Sequence, residues 1–224
     1  MNVSIIDDDK NAANITKIAV EDAGYDPLMF DGPTDSIKSA AEFIMAKSEA
    51  AVCDHRLRPG GLANFDGAEL VAHLIGEKFP AILISQFVNQ DYDVSIRHWR
   101  AILPSVISRD DLEGKSLEIA IDSCKKELSG VYSTQRRAHR TIVQILDTGN
   151  EDNQEVVDVL IPSWLAKSAV RFPKNIIPNN LQHLIRRGEY LIAYINLGAQ
   201  DSRELYFNRF EAPSTPNESI FDNL

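Results

Sequence analysis

Short apolar runs alternate with amphipathic segments over the first half of the chain. The apolar runs lie at 3–6, 27–30, 50–53, 81–84 and 105–107, each of a length that suits a buried strand. Helical patterns fill the intervals at 34–47, 67–76 and 93–103, and a first helix ending near Gly24 has Ile15, Ile18 and Ala19 on one face. Strands this apolar, separated by helices, indicate a parallel sheet covered on both faces. We therefore predict an α/β domain at 1–115 with a doubly wound, five-stranded parallel sheet.

Polar residues follow the predicted strands where each strand ends. Asp7 and Asp8 follow the first, Asp54 the third, Ser85 the fourth and Arg109 the fifth. In doubly wound sheets, ligands and reactive groups gather at the carboxyl ends of the strands. We therefore expect these side chains to meet at one edge of the sheet.

Three carboxylates at one sheet edge would raise one another's pKa. A hard divalent cation such as Mg²⁺ relieves that repulsion, because it prefers carboxylate oxygens and water as ligands. With the charge offset, Asp54 could act as a nucleophile and form an acyl phosphate. An alternative interpretation is that Asp7, Asp8 and Asp9 only cap the following helix.

Several short motifs resemble those of receiver domains in bacterial two-component response regulators. These are Ile5-Ile6-Asp7-Asp8-Asp9, Cys53-Asp54-His55-Arg56-Leu57 with Pro59-Gly60, Asp66-Gly67-Ala68-Glu69-Leu70, and the strand 80–85 that ends in Ser85. The resemblance covers roughly residues 1–125 and implies a flavodoxin/CheY-like fold.

The resemblance also implies roles for individual residues. It makes Asp54 the phosphoacceptor, and it assigns Mg²⁺ to Asp7, Asp8, Asp54 and the backbone carbonyl of Arg56. Ser85 would donate a hydrogen bond to the phosphoryl group. A histidine kinase would be the phosphoryl donor, and we expect a signalling protein that is not itself an enzyme.

Two positions depart from the receiver pattern. Arg109, followed by Asp110, stands where the family has a Lys that is usually followed by Pro, and Val106 stands where an aromatic switch residue is common. Arg keeps the charge but is a planar fork and not a compact ammonium. These departures leave open a pseudo-receiver adaptor that binds partners without being phosphorylated.

A haloacid-dehalogenase-like phosphatase is a third alternative. Asp7 would be its nucleophile and Asp9 its acid, because that family begins with Asp-x-Asp after a strand. Asn11 stands where the family prefers Thr or Val, and Asp54 would have no role.

A heptad pattern of apolar residues follows the α/β domain. Its positions are Leu117, Ile121, Cys124, Leu128, Val131, Gln135, Ala138, Ile142 and Ile145. Spacings of four and three over about four heptads predict a long helix at 116–148 that forms a coiled coil and a homodimer. The alternative is an amphipathic helix packed on its own domain.

The remainder predicts a small α+β or β-rich module at 149–211 and a flexible tail at 212–224. Strands are predicted at 156–161, 168–172, 190–196 and 204–210, with a helix at 180–187. No catalytic motif or helix-turn-helix is evident, so we expect this module to bind a protein target.

Composition limits the remaining options. A formal net charge of −10 argues against broad nucleic-acid binding, although Lys125, Lys126, Arg136, Arg137 and Arg140 form a local basic stretch. No apolar run approaches the roughly 20 residues of a membrane-spanning helix, and the N-terminus has no signal-peptide pattern. We therefore expect a cytoplasmic protein that has no contact with membranes.

Overall fold

The computed structural model describes residues 1–86, 92–151 and 153–213. The chain divides into two compact units, Met1–Thr134 and Gln135–Leu224. The boundary therefore lies between residues 134 and 135. The sequence had predicted domain limits at 115 and 149, so the predicted helical connection at 116–148 is divided between the two units.

The first unit is a parallel sheet with helices between its strands. Among its described residues, the strands are β1 (Asn2–Ile6), β2 (Asp26–Met29), β3 (Ala50–Asp54), β4 (Ala81–Ser85) and β5 (Val106–Ser108). The helices are α1 (Lys10–Asp22), α2 (Ile37–Lys47), α3 (Gly67–Gly76), α4 (Arg97–Trp99) and α5 (Gly114–Leu128). The strand order is β2-β1-β3-β4-β5, and all four pairings are parallel. This order confirms the predicted flavodoxin/CheY-like fold.

Two helices of this unit differ from their predictions. The helix expected at 93–103 is a π-helical turn at Tyr92–Ile96 followed by the single turn of α4. In α1, the buried residues are Ala13, Thr16, Ala19 and Val20, whereas Ile15 and Ile18 are more than half exposed. The small residues of α1, and not its isoleucines, therefore form the face packed on the sheet.

The predicted long helix and coiled coil are wrong. Helix α5 ends at Leu128, because Gly130 has a φ of 88° and closes a Schellman motif. In this motif the Gly130 N–H donates to the Glu127 carbonyl, and the Val131 N–H donates to the Lys126 carbonyl, both at 2.9 Å. A glycine in the left-handed region ends a helix at little cost, so the heptad seam is interrupted here. The predicted homodimer loses the surface on which it was based.

The residues of the predicted heptad seam belong to two different units. Leu117, Ile121 and Cys124 on α5 are buried in the core of the first unit. Ile142 and Ile145 lie in strand β6 (His139–Glu151), where Ile145 is buried and Ile142 is 52% exposed. Because successive side chains of a strand face opposite sides, a spacing of three residues places these two on different faces.

Paired substitutions in β6 test this correction. Val143 is fully buried, so Val143→Ala should lower the free energy of unfolding of the second unit by about 2 kcal/mol, since two buried methyl groups are lost. The matched control Ile142→Ala should cost less than about 0.5 kcal/mol, because Ile142 is already exposed. Urea unfolding in a Trp99→Phe background, followed by the fluorescence of Trp164 on that core, measures both. If this segment were a helical seam, Ile142→Ala would cost more free energy of unfolding than Val143→Ala, because Ile142 and not Val143 is a seam position.

The second unit is an antiparallel sheet. Its strands are β6 (His139–Glu151), β7 (Gln154–Ile161), β8 (Leu165–Pro173), β9 (Tyr190–Ile195) and β10 (Phe207–Glu211), in the order β10-β9-β6-β7-β8. The four predicted strands overlap β7 to β10, whereas most of β6 lies in the segment that the heptad pattern predicts as a helix. A 3₁₀ helix at Asn179–Leu184 occupies most of the predicted helix at 180–187. Alternate residues of β6, β7 and β9 bury one face of the sheet in a core of its own.

The structure describes only Ala212 and Pro213 beyond the last strand. Strand β10 ends at Glu211, and most of the tail predicted at 212–224 lies outside the described residues. Within the described ranges, no helix has both the length and the apolar character needed to cross a bilayer.

Candidate functional site

The tips of β1 and β3 bring three acids together. These two strands are parallel neighbours with Ile6 opposite Cys53, so Asp7 and Asp54 follow at adjacent positions of the sheet edge. One carboxylate oxygen from each of Asp7, Asp8 and Asp54 lies within 4.8 Å of the other two. The acids predicted from separate strand ends therefore converge on one small volume.

Two glycines allow the loop and helix after β3 to approach this volume closely. A Cβ on Gly67, the first residue of α3, would lie 1.8 Å from the Asp54 carbonyl oxygen. A Cβ on Gly60 would lie 2.7 Å from Asp8, whose Oδ2 accepts a hydrogen bond from the Gly60 N–H. Only a residue without a side chain fits at either position, which explains the Pro-Gly and Asp-Gly pairs of the sequence motif.

Arg109 joins two of the acids. It follows β5 directly, and its Nη2 donates to Asp7 Oδ2 at 2.8 Å and to Asp54 Oδ1. The three side chains are almost withdrawn from solvent, with exposures of 9% for Arg109, 3% for Asp7 and 11% for Asp54. At this burial the ion pairs are screened far less than surface pairs.

The guanidinium is also fixed to α1. Its Nη1 donates to the Ala12 carbonyl at 3.2 Å and to Thr16 Oγ1 at 3.3 Å. Thr16 is buried, and its own hydroxyl donates to the Ala12 carbonyl at 3.1 Å. Sequence reasoning did not identify Thr16 as a site residue; the only sequence signal is a hydroxyl on the buried face of α1.

One guanidinium does not fully compensate the buried acids. Burial raises the pKa of the Asp54 carboxyl to about 6, although the hydrogen bond from Arg109 opposes the shift. Burial also raises the pKa of Asp7 above its ordinary value. The repulsion between Asp7 and Asp54 contributes to the shift at Asp54. The cluster therefore has an excess of negative charge that a further cation would relieve.

The donor set fits a hard divalent cation such as Mg²⁺. It consists of carboxylate oxygens from Asp7, Asp8 and Asp54, which are the ligands that Mg²⁺ prefers in proteins. The Asp54 Oδ2 atom accepts a hydrogen bond from the Arg56 N–H at 2.7 Å, which orients the carboxylate. The role predicted for the Arg56 carbonyl stays a prediction.

Ser85 lies near this edge of the sheet. It is the last residue of β4 and is buried, and Ile84 beside it pairs with Asp54. On its other side Ser85 pairs with Ser108 of β5, directly before Arg109. Its hydrogen bond to a phosphoryl group stays a prediction. Val106, at the position of the expected switch residue, begins β5 and is partly buried.

The capping interpretation holds for Asp9 alone. Its carboxylate accepts hydrogen bonds from the Asn11 N–H at 2.7 Å and the Ala12 N–H at 3.2 Å, as an N-cap of α1 does. The Asp9 N–H donates to Asp7 Oδ1, so the turn also orients the Asp7 carboxylate. Asp7 and Asp8 thus belong to the acidic cluster, and Asp9 belongs to the helix.

Comparison with known proteins gives structural matches only. No protein-family model and no curated protein matches the chain. A sensor protein from Polaromonas sp. JS666 is 15% identical, with a TM-score of 0.43, and the match covers 57% of this chain and 97% of that one. The receiver domain of a Francisella response regulator is 20% identical over 56% and 97% of the two chains, with a TM-score of 0.41.

A response regulator receiver domain from Clostridium thermocellum is 14% identical, with a TM-score of 0.43 and coverage of 57% and 96%. These matches leave more than two fifths of the chain without a counterpart. The resemblance predicted a receiver domain, and the strand order of the first unit is that of the flavodoxin/CheY-like fold.

Proposed function

We propose that this chain is a response regulator of a two-component system, whose first unit accepts a phosphoryl group on Asp54 in the presence of Mg²⁺. The observation that carries the proposal is the convergence of Asp7, Asp8 and Asp54 at the tips of two parallel strands. A structural acid cluster would not require three partly buried carboxylates beside a single guanidinium.

The chemistry is an in-line phosphoryl transfer. A carboxylate oxygen of Asp54 attacks phosphorus, the bond from phosphorus to the phosphohistidine nitrogen of the kinase breaks, and that imidazole takes up a proton. Asp7, Asp8, Asp54 and the Arg56 carbonyl would hold Mg²⁺, which when bound supplies positive charge against the phosphoryl oxygens. The Ser85 hydroxyl would donate a hydrogen bond to a phosphoryl oxygen.

The output passes to the second unit. We propose that this unit binds a protein target, since its sheet leaves Ile142 and Tyr190 about half exposed on one face while it buries the other. Ile192 of β9 pairs with Ile142 but is itself buried, so the exposed apolar surface consists of Ile142 and Tyr190. As a response regulator, the chain would be a signalling protein without catalytic turnover of its own.

A pseudo-receiver adaptor is the second candidate. The observation that favours it is that Arg109 already contacts both Asp7 and Asp54, as an internal substitute for a cation would. The phosphatase alternative is weaker, because its acid would be Asp9 and that carboxylate caps α1.

Removal of the metal separates the leading proposal from the adaptor. Full-length protein incubated with acetyl phosphate should gain the mass of one phosphoryl group when Mg²⁺ is present and none when EDTA replaces it. Acetyl phosphate replaces the unknown kinase as donor, so the result does not depend on finding that partner. Absence of labelling at every Mg²⁺ concentration would leave the adaptor as the better account.

A further inference from the structure

Arg109 donates a hydrogen bond to one carboxylate oxygen of Asp7 and to one of Asp54. The other oxygen of each carboxylate accepts a hydrogen bond from the backbone. Asp7 Oδ1 accepts from the Asp9 N–H, and Asp54 Oδ2 accepts from the Arg56 N–H. The remaining oxygens, Asp7 Oδ2 and Asp54 Oδ1, both accept from Arg109 Nη2. A cation that bound Asp7 Oδ2 and Asp54 Oδ1 would have to share these oxygens with the guanidinium or displace it.

The contacts on the opposite side hold the guanidinium in this position. Nη1 donates to Ala12 and Thr16 of α1, so each terminal nitrogen has two acceptors. Four hydrogen bonds from a planar group fix both its position and its orientation. An ammonium, with one nitrogen on a flexible stem, cannot span the acids and α1 in the same way.

From this arrangement we propose that Arg109 is an internal competitor that sets the divalent-cation affinity of the site, with Thr16 as its positioning residue. The inference rests on the proposed function, because it concerns the cation that the acids would hold. Arg109 neutralises part of the cluster when the cation is absent, and its hydrogen bonds to Asp7 and Asp54 must lengthen or break when the cation enters. Wild-type protein therefore binds Mg²⁺ more weakly than its three acids alone would.

Isothermal titration of full-length protein with MgCl₂, after treatment with EDTA and buffer exchange, tests this role. Arg109→Gln should tighten binding at least about tenfold, because release of a charge-assisted hydrogen bond costs at least that factor. Arg109→Lys should tighten binding by a smaller factor, since the charge remains and the fork is lost. Thr16→Val should act in the same direction, because it removes one anchor without changing the charge.

Lys17→Gln is the matched control for net charge. Lys17 follows Thr16 on α1, is 46% exposed and pairs with Glu21, and its loss also makes the protein one charge more negative. Its Mg²⁺ affinity should equal that of wild type. If Lys17→Gln bound Mg²⁺ as tightly as Arg109→Gln, the tighter binding would reflect net charge alone, and the proposal would be overturned.

Thermal melts keep the test valid if a variant is unstable. In EDTA, Arg109→Gln should melt below wild type, because its buried acids lose their counter-ion, and MgCl₂ should raise its melting temperature more than that of wild type. Equal or weaker Mg²⁺ binding by both Arg109 variants, with wild type binding measurably, overturns the competitor role and leaves the phosphoacceptor proposal intact. Absence of binding in wild type and in every variant overturns both.

Discussion

Asp54→Asn should reduce phosphoryl labelling by acetyl phosphate and Mg²⁺ to background. The amide is isosteric with the carboxylate but lacks the anionic oxygen that attacks phosphorus. Loss should be complete and not partial, because the proposal assigns Asp7 and Asp8 to the cation and Asp9 caps α1. Intact-protein mass spectrometry measures the labelled fraction directly.

Asp66→Asn is the matched control for this loss. Asp66 directly precedes α3, is partly exposed and pairs with Arg58, and it is not a member of the acidic cluster. Its labelling should equal that of wild type. If Asp54→Asn labelled as well as Asp66→Asn, the phosphoacceptor would have to be another residue.

Gly67→Ala should destabilise the first unit by about 3 kcal/mol or more, near the upper end of what single substitutions cost. The new Cβ would lie 1.8 Å from the Asp54 carbonyl oxygen and 2.9 Å from Cys53 Sγ. Neither atom can move freely, because both belong to the buried strand β3. The clash can be relieved only if α3 shifts away from the sheet edge, and such a shift would also displace Asp54.

Gly76→Ala in the same helix is the control. No atom outside its own helix backbone and chain neighbours lies within 4 Å of a Cβ at Gly76, so alanine should be neutral or stabilise by up to about 1 kcal/mol, as expected for a helical glycine. Urea unfolding followed by far-UV circular dichroism reports on the first unit, since the described α-helices all lie before residue 129. Equal stability of the two variants would show that α3 does not pack against β3 as described.

The sheet of the first unit could be predicted because its strands have a simple pattern. The apolar residues of β3 and β4 are all buried, so these strands appear in the sequence as continuous apolar runs that end in Asp54 and Ser85. The parallel order then requires that residues at the strand ends share an edge. The predicted meeting of Asp7 with Asp54 therefore needed no knowledge of side-chain positions.

The connection between the units could not be predicted from periodicity alone. Apolar residues spaced by three and four fit a helix, yet β6 buries Thr141, Val143 and Ile145 with the alternation of a strand. Both periods are present in the same stretch, and Gly130 decides between them by ending α5.

The partners of Arg109 were beyond sequence reasoning for a different reason. Its contacts with Thr16 and Asp7 span 93 and 102 positions of the chain, and they depend on how α1 packs against β1 and α5. A charge at the end of β5 predicts a site residue. Its orientation toward two acids and one helix depends on packing that no local pattern records.

Site mapping of the phosphoryl group tests the central claim most directly. Labelled protein is reduced with borohydride, which converts an aspartyl phosphate to homoserine, and is then digested and sequenced by mass spectrometry. We predict homoserine at position 54 and at no other aspartate, and only after incubation with Mg²⁺. Homoserine at Asp7 or Asp8, or labelling that does not depend on Mg²⁺, would contradict the account.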